Sequence, residues 1–85
     1  MYKRGIYVSA AAEKNPNVIM KFVQKADKFD CNIWLEKENR KVSGKSLLGV
    51  ISLELTGGNE IIIRADGTDE KEAVDFLTGL LAEES

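Results

Sequence analysis

The sequence predicts a single α+β domain spanning residues 1–85, a two-layer open-faced sandwich in which three helices cover one face of a four-stranded, mainly antiparallel sheet. A chain of 85 residues supports one domain. Segments that alternate like strands and segments with helical periodicity follow one another in the order βαββαβα. The two consecutive strands require a hairpin, which makes their pairing antiparallel.

The N-terminal part of the chain predicts a strand followed by a helix. Residues 4–9 alternate as strands do. Asn15 can cap a helix that starts at Pro16, because the N–H that proline lacks would have no partner at that position. Three lysines face water in this helix, Lys21, Lys25 and Lys28. The expected buried face consists of Val18, Ile19, Phe22, Val23, Ala26 and Phe29.

Two strands and a short helix are expected in the middle of the chain. Alternation over residues 31–36 predicts the second strand, and a polar turn at residues 37–39 leads to a short third strand at Arg40–Ser43. Ser46 begins the second helix. The expected buried side of that helix consists of Leu47, Leu48, Val50, Ile51 and Leu55.

The C-terminal part predicts a fourth strand and a third helix. The pair Gly57-Gly58 ends the preceding region, and residues 60–65 form the strand. Asp66-Gly67 turns the chain, and Thr68 is the expected cap of the last helix. The buried stripe of this helix is expected to be Ala73, Val74, Phe76, Leu77, Leu80 and Leu81.

Alternation also assigns the two faces of the sheet. Tyr7, Trp34 and Ile62 are expected on the bare face, either as a contact surface or as ordinary cross-strand packing. This face and the short hairpin permit a homodimer, including one formed by strand exchange. The residues expected to point toward the helices are Ile6, Val8, Ile33, Leu35, Ile61 and Ile63.

The composition excludes several kinds of catalytic site. The chain has no histidine and one cysteine, so it lacks the residues for a zinc site, a disulfide or a Ser-His pair, and its acidic residues lack the spacing of a calcium loop. Cys31 is expected to be inert core. Gly44-Lys45-Ser46 resembles the end of a phosphate-binding loop, but the glycine required five residues before Gly44 is Asn39. We therefore expect neither enzyme activity nor a cofactor.

Charge and hydropathy suggest a cytoplasmic protein. No segment approaches the length of a membrane span, and the apolar stretch near the N-terminus is too short for a signal peptide. The net charge of −2 argues against direct binding to nucleic acid. A nucleic-acid-binding module that uses the bare sheet face remains a third alternative.

The run Lys-Ser-Leu-Leu-Gly-Val-Ile-Ser-Leu at residues 45–53 is the most distinctive part of the chain. Together with residues 23–30, the Leu35-Glu36 pair and the Asp66-Gly67 turn, it resembles the HPr family of the bacterial sugar phosphotransferase system. The resemblance covers most of the chain and implies the same βαββαβα fold.

The resemblance fails at the residue that carries phosphate in HPr. An ungapped alignment puts Asn15 at the phosphorylatable histidine, Asn17 at the following arginine and Val18 at the proline. Aligning on the proline instead puts Glu13 at the histidine, but shifts the apolar face of the helix. Neither alignment supplies an imidazole, so the chemistry of a histidine phosphate relay is excluded.

The resemblance implies the regulatory function of the family, without the phosphate relay, as in the histidine-less Crh type. There, the serine that corresponds to Ser46 is phosphorylated by an HPr kinase/phosphorylase, and the product binds a catabolite-control transcription factor. The alternatives are a diverged paralogue that binds other proteins and, for Ser46 itself, simple helix capping. The expected partner-binding residues are Asn15, Asn17, Lys45, Leu47, Leu48 and Ile51.

Overall fold

The order of elements is the one expected. A computed structural model describes residues 1–10 and 15–82. The predicted order βαββαβα is confirmed. The strands are β1 (Tyr2–Tyr7), β2 (Asn32–Lys37), β3 (Arg40–Ser43) and β4 (Glu60–Asp66), and the helices are α1 (Pro16–Asp27), α2 (Leu47–Ser52) and α3 (Glu70–Leu81).

The four strands form one antiparallel sheet in the order β1-β4-β2-β3. The register places Ile6 opposite Ile61, and Ile63 opposite Leu35. Because paired residues share a face, these side chains form one apolar layer beneath the helices. All six strand-region residues expected to point toward the helices are buried, which confirms that prediction.

The helices close the core from one side. Phe22 and Ala26 of α1 and Val50 of α2 are almost completely buried. From α3, four residues are buried: Ala73, Val74, Leu77 and Leu81. The described core contains no buried polar or charged side chain.

The first strand lies two residues earlier than predicted. Tyr2 pairs with Ala65, so the strand begins before residue 4. Beyond Tyr7 the Val8 N–H still donates to the Asn59 carbonyl at 2.9 Å, but the Asn59 N–H donates to the Thr56 carbonyl, so the ladder stops and Val8 bridges Ala82. Tertiary partners therefore set both ends of this strand.

Smaller differences occur at the other strands. Lys37 pairs with Arg40, so the β2–β3 hairpin has a two-residue loop rather than the expected three-residue turn. Glu38 in that loop has a φ of 57°, a left-handed conformation that such a tight hairpin demands. Residue 31 precedes β2, and β4 extends by one residue to Asp66.

The predicted buried side of α2 is wrong for three of its residues. Leu47, Leu48 and Ile51 are 38%, 81% and 55% exposed, whereas Leu53, just after the helix, is buried. A helix of six residues has fewer than two turns, so only one position per turn faces the sheet. The remaining apolar side chains of α2 project outward beside α1.

Two predictions for α3 are also wrong. Asp69, not Thr68, occupies the N-cap position. Asp69 makes no side-chain cap hydrogen bond to the helix, and the Glu70 Oε1 accepts from the Gly67 N–H at 3.3 Å in the turn that precedes it. Phe76 is 45% exposed rather than buried, and its ring packs against Phe29.

The bare face of the sheet carries the expected aromatic and aliphatic residues. Tyr7 is exposed, and Trp34 and Ile62 are half-buried. The Lys41 ammonium lies 5.5 Å from the centroid of the Trp34 ring. Arg64 on the same face donates to the Glu36 carboxylate at 2.8 Å. Two cations of this face, Lys41 and Arg64, are thus already engaged within the chain, which leaves Lys3 opposite Arg64 and does not favour nucleic acid as the ligand.

One polar link ties α1 to the start of α3. The Asp69 Oδ2 accepts a hydrogen bond from the Asp30 N–H at 2.9 Å, and this contact lowers the pKa of the Asp69 carboxyl. Cys31 lies next to it and is buried, as predicted. Burial, with a contribution from Asp69, raises the pKa of the Cys31 thiol to about 11. The thiol is therefore protonated at neutral pH and unreactive.

Stability should depend on pH through Asp69. The pKa of the Asp69 carboxyl is lower in the folded state than in the unfolded state. The carboxylate therefore stabilises the fold at pH values above the unfolded-state pKa, and this stabilisation is lost as the pH falls through the folded-state pKa. We expect the stability difference between wild type and Asp69→Asn, measured by urea unfolding, to shrink as pH falls from about 7 to about 3. Asp27→Asn, at an exposed aspartate, controls for the loss of a surface charge. A pH-independent difference would contradict this assignment.

Candidate functional site

Ser46 lies at the N-cap of α2 with its hydroxyl in a defined position. Its backbone is extended, with φ −105° and ψ 113°, and its Oγ accepts a hydrogen bond from the Gly49 N–H at 3.1 Å. The residue is exposed. The hydroxyl is thus held by the helix that follows, yet remains accessible to another protein.

Gly49 allows the first turn of α2 to approach Ser46 closely. A Cβ at position 49 would lie 3.2 Å from the Ser46 Oγ and 3.3 Å from the Val42 Cβ. Those distances are tighter than ordinary van der Waals contact, so a larger residue would push Ser46 and β3 apart. Glycine is the residue that fits here without displacing the hydroxyl.

Apolar side chains of α1 and α2 line a groove next to the start of α2, where Ser46 lies. Between the helices lies a groove of about 360 Å³ lined by Pro16, Ile19, Met20, Leu47 and Ile51. Leu48 projects into solvent beside Ser46. We call Ser46, Leu47, Leu48, Ile51, Pro16 and Met20 the Ser46 surface.

Asn15 and Asn17, at the start of α1, contribute polar groups next to this groove. Asn15 is the N-cap of α1, as predicted, and its Oδ1 accepts from the Asn17 N–H at 3.0 Å. Both asparagines are exposed, and Pro16 between them lines the groove. Glu13, the alternative position for the histidine, lies outside the described residues.

Three basic residues near α2 are engaged within the chain. Lys37 donates to the carbonyl oxygens of Leu53 and Glu54 at 2.9 and 2.8 Å. Arg40 donates to the Ser52 carbonyl at 2.6 Å, so two cations from the hairpin cap the negative end of α2.

The Lys45 ammonium has a similar structural contact. It donates to the Phe29 carbonyl at 2.8 Å, just beyond the end of α1. The contact uses one of the three donor protons of the ammonium.

The sequence did not identify every residue of this surface. Met20 was overlooked because it lies off the buried face of α1, and an apolar residue at such a position is the signal that indicates a contact surface. Pro16 was assigned only to starting the helix. The structure brings Asn15, Asn17, Leu47 and Ile51 to the same end of the helical layer as Ser46.

The described segments contain neither a candidate metal site nor a candidate membrane span. Within residues 1–10 and 15–82, no three cysteine, aspartate or glutamate side chains are grouped as a metal site would require. None of the helices there is long and apolar enough to cross a membrane.

Comparison with known proteins identifies the family. The family model described as the PTS HPr component phosphorylation site matches residues 4–83. The HPr-like protein Crh of Bacillus subtilis (strain 168) is 41% identical over 63 residues, which are 74% of this chain and 74% of Crh.

Solved structures agree in fold. The crystal structure of HPr-C-His from Thermoanaerobacter tengcongensis has a TM-score of 0.89 at 37% identity, covering 95% of this chain and 91% of that one. Crh of Bacillus subtilis, described as a swapped, intertwined dimer, has a TM-score of 0.72 at 32% identity, covering 88% of this chain and 82% of that one. Proteins of this kind are phosphocarriers or regulators, not enzymes, and the likeness to Crh supports an HPr-like regulatory role in catabolite repression. The chain described above belongs to the HPr family.

Proposed function

We propose that this protein regulates carbon catabolism in the cytoplasm through phosphorylation of Ser46 by an HPr kinase/phosphorylase, followed by binding to a catabolite-control transcription factor. The observation that carries the proposal is the exposed Ser46 hydroxyl at a helix N-cap, bordered by apolar side chains, in an HPr chain without histidine. A chain with no imidazole has no group to accept phosphate from the sugar relay.

The environment of Ser46 suits a phosphate group. Phosphorylation adds a charge of about −1.5 to −2 and three acceptor oxygens. The positive end of the α2 dipole and the N–H groups of its first turn favour that charge. With no acidic residue in the first turn of α2, no neighbouring carboxylate in the helix would repel the group.

The modified surface would offer a partner two kinds of contact. The phosphate suits recognition by arginine, whose planar guanidinium donates two hydrogen bonds to phosphate oxygens. Leu48 and the adjoining groove suit an apolar cavity or side chain of the partner. Asn15, Asn17, Leu47, Ile51 and Lys45 complete the proposed contact surface.

Phosphorylation of Ser46 is tested by incubating the protein with an HPr kinase/phosphorylase and ATP and measuring the intact mass. We expect wild type to gain one phosphate and Ser46→Ala to gain none. Ser52→Ala is the matched control, since Ser52 is an exposed serine at the other end of the same helix. It should be modified as wild type is.

The modified protein is then tested for binding to a catabolite-control transcription factor by titration calorimetry. Phosphorylation should tighten binding by at least about tenfold. If wild type gains no phosphate, or if Ser46→Ala gains as much, the proposal is wrong. The first of these results would favour a paralogue that binds other proteins without serine phosphorylation.

A second copy of the chain is a further proposed partner. β1 lies at the edge of the sheet and has β4 as its neighbour on one side. A swapped, intertwined dimer is described for Crh of Bacillus subtilis. Exchange of β1 between two copies would keep the same strand pairs, so it would need no new contacts within the sheet.

A further inference from the structure

The helical layer carries a second exposed surface, formed by the adjoining flanks of α1 and α3. Phe76 is 45% exposed, although its ring packs against Phe29 with 6.2 Å between the ring centroids. An aromatic side chain left half in water between two helices offers apolar area that a partner can bury. We call Lys21, Lys25, Lys28, Glu72 and Phe76 the α1–α3 surface.

The α1 flank of this surface is basic. Lys21, Lys25 and Lys28 recur at i, i+4 and i+7, which places them in one stripe. Lys21 lies about 200° around the helix axis from Ile19, which faces α2, so the stripe lies on the side of α3. None of the three lysines pairs with a carboxylate in the described part of the chain.

The α3 flank contributes a carboxylate next to the aromatic ring. Glu72 precedes Phe76 by one helical turn and therefore lies on the same side of α3. The neighbouring acidic residues are engaged: Glu70 lies 3.1 Å from the Met1 ammonium, and Asp75 lies 2.8 Å from Arg4. Glu72 has no such partner among residues 1–10 and 15–82.

α1 and α3 run antiparallel along this surface, so residues late in α1 lie beside residues early in α3. The end of α1 meets the start of α3, because the Asp30 N–H donates to Asp69 and Phe29 packs on Phe76. Lys28 is therefore near the level of Glu72, although the two form no ion pair within the chain. A two-fold axis parallel to the helices would lay α1 of one copy across α3 of another and bring Lys28 over Glu72 of the partner subunit.

We propose that the α1–α3 surface is a self-complementary homodimer interface, with Phe76 near its centre and Lys28–Glu72 pairs on both sides. A second copy is the occupant that Lys28 and Glu72 favour, because each copy carries one unpaired charge of either sign that would meet its opposite reciprocally across the axis. The interface leaves the Ser46 surface free, since Met20 and Leu48 lie beyond the opposite flank of α1. The proposal therefore does not depend on phosphorylation of Ser46.

Charge reversal tests this interface directly. Sedimentation equilibrium between about 10 µM and 1 mM protein should show a concentration-dependent dimer of wild type, as expected for a small interface. Lys28→Glu and Glu72→Lys should each weaken association by about tenfold. An equimolar mixture of the two variants should restore it, because each reversed charge then meets its opposite in the other copy.

Controls separate this interface from other modes of assembly. Phe76→Ala should weaken association, whereas Leu48→Ala, at a more exposed apolar residue outside the interface, should not. A dimer formed by exchange of β1 would respond to none of these substitutions. A wild type that stays monomeric to about 1 mM, or single variants that associate as wild type does, would overturn the proposal.

Discussion

Gly67→Ala is expected to lower the free energy of unfolding by more than about 3 kcal/mol. Gly67 has a φ of +153°, which L-residues rarely adopt. A Cβ there would lie 2.6 Å from the Cys31 Cβ and 2.7 Å from its Cα. The second of these atoms is backbone and cannot rotate away, so the start of α3 would have to move off the segment that precedes β2.

Two other glycines supply the matched series for urea unfolding. Gly58 also has a positive φ, 86°, but an added Cβ would touch nothing within 4 Å. Gly58→Ala should therefore lose only about 1 kcal/mol, from backbone strain. Gly79, in α3, has open space around it, so Gly79→Ala should gain about 0.5–1 kcal/mol through its better helix propensity. Equal losses at positions 67 and 58 would refute the steric explanation.

Phe22→Ala is expected to lower the free energy of unfolding by about 3–5 kcal/mol. Phe22 is completely buried and is the largest fully buried side chain described. It anchors α1 on the sheet, where its ring comes close enough to Gly44 that a Cβ there would lie 3.4 Å from it. The loss would leave a cavity that the sheet cannot fill, because pairing with β2 and β4 holds its strands in register.

The control for Phe22→Ala is Met20→Ala in the same helix. Met20 is 48% exposed, so its truncation should change the urea midpoint little. Comparable losses at the two positions would show that the buried face of α1 contributes no more to stability than its exposed face. With the fold intact, Met20→Ala also removes part of the Ser46 surface without touching the core.

The order of helices and strands along the chain follows from local sequence patterns. Alternation in the strands and the capping residue Asn15 are short-range signals, and both predict what the structure contains. The ends of β1 do not follow from them, because the ladder stops where the Asn59 N–H donates to Thr56 instead of returning a bond to Val8. A pattern also cannot distinguish a buried from an exposed apolar residue in a helix of fewer than two turns. The predicted burial of Leu47, Leu48 and Ile51 in α2 is wrong for this reason.

Ser46 could be selected from sequence because the distinctive run around it is contiguous. The rest of its surface is assembled from α1, where Met20 differs from its buried neighbours only by its angle around the helix axis. The roles of Lys37 and Arg40 were not foreseeable, because their hydrogen bonds join residues 12 to 17 positions apart.

By itself, the sequence determined the fold class, the order of its elements and the lack of any side chain able to carry phosphate as histidine does. Those properties depend on which residues are present and on their spacing along the chain. Only the tertiary structure decided which apolar side chains stay in water, which cations are already engaged and which charges are left unpaired. Such properties depend on distances between segments remote in the chain, and those distances are fixed by packing against the sheet.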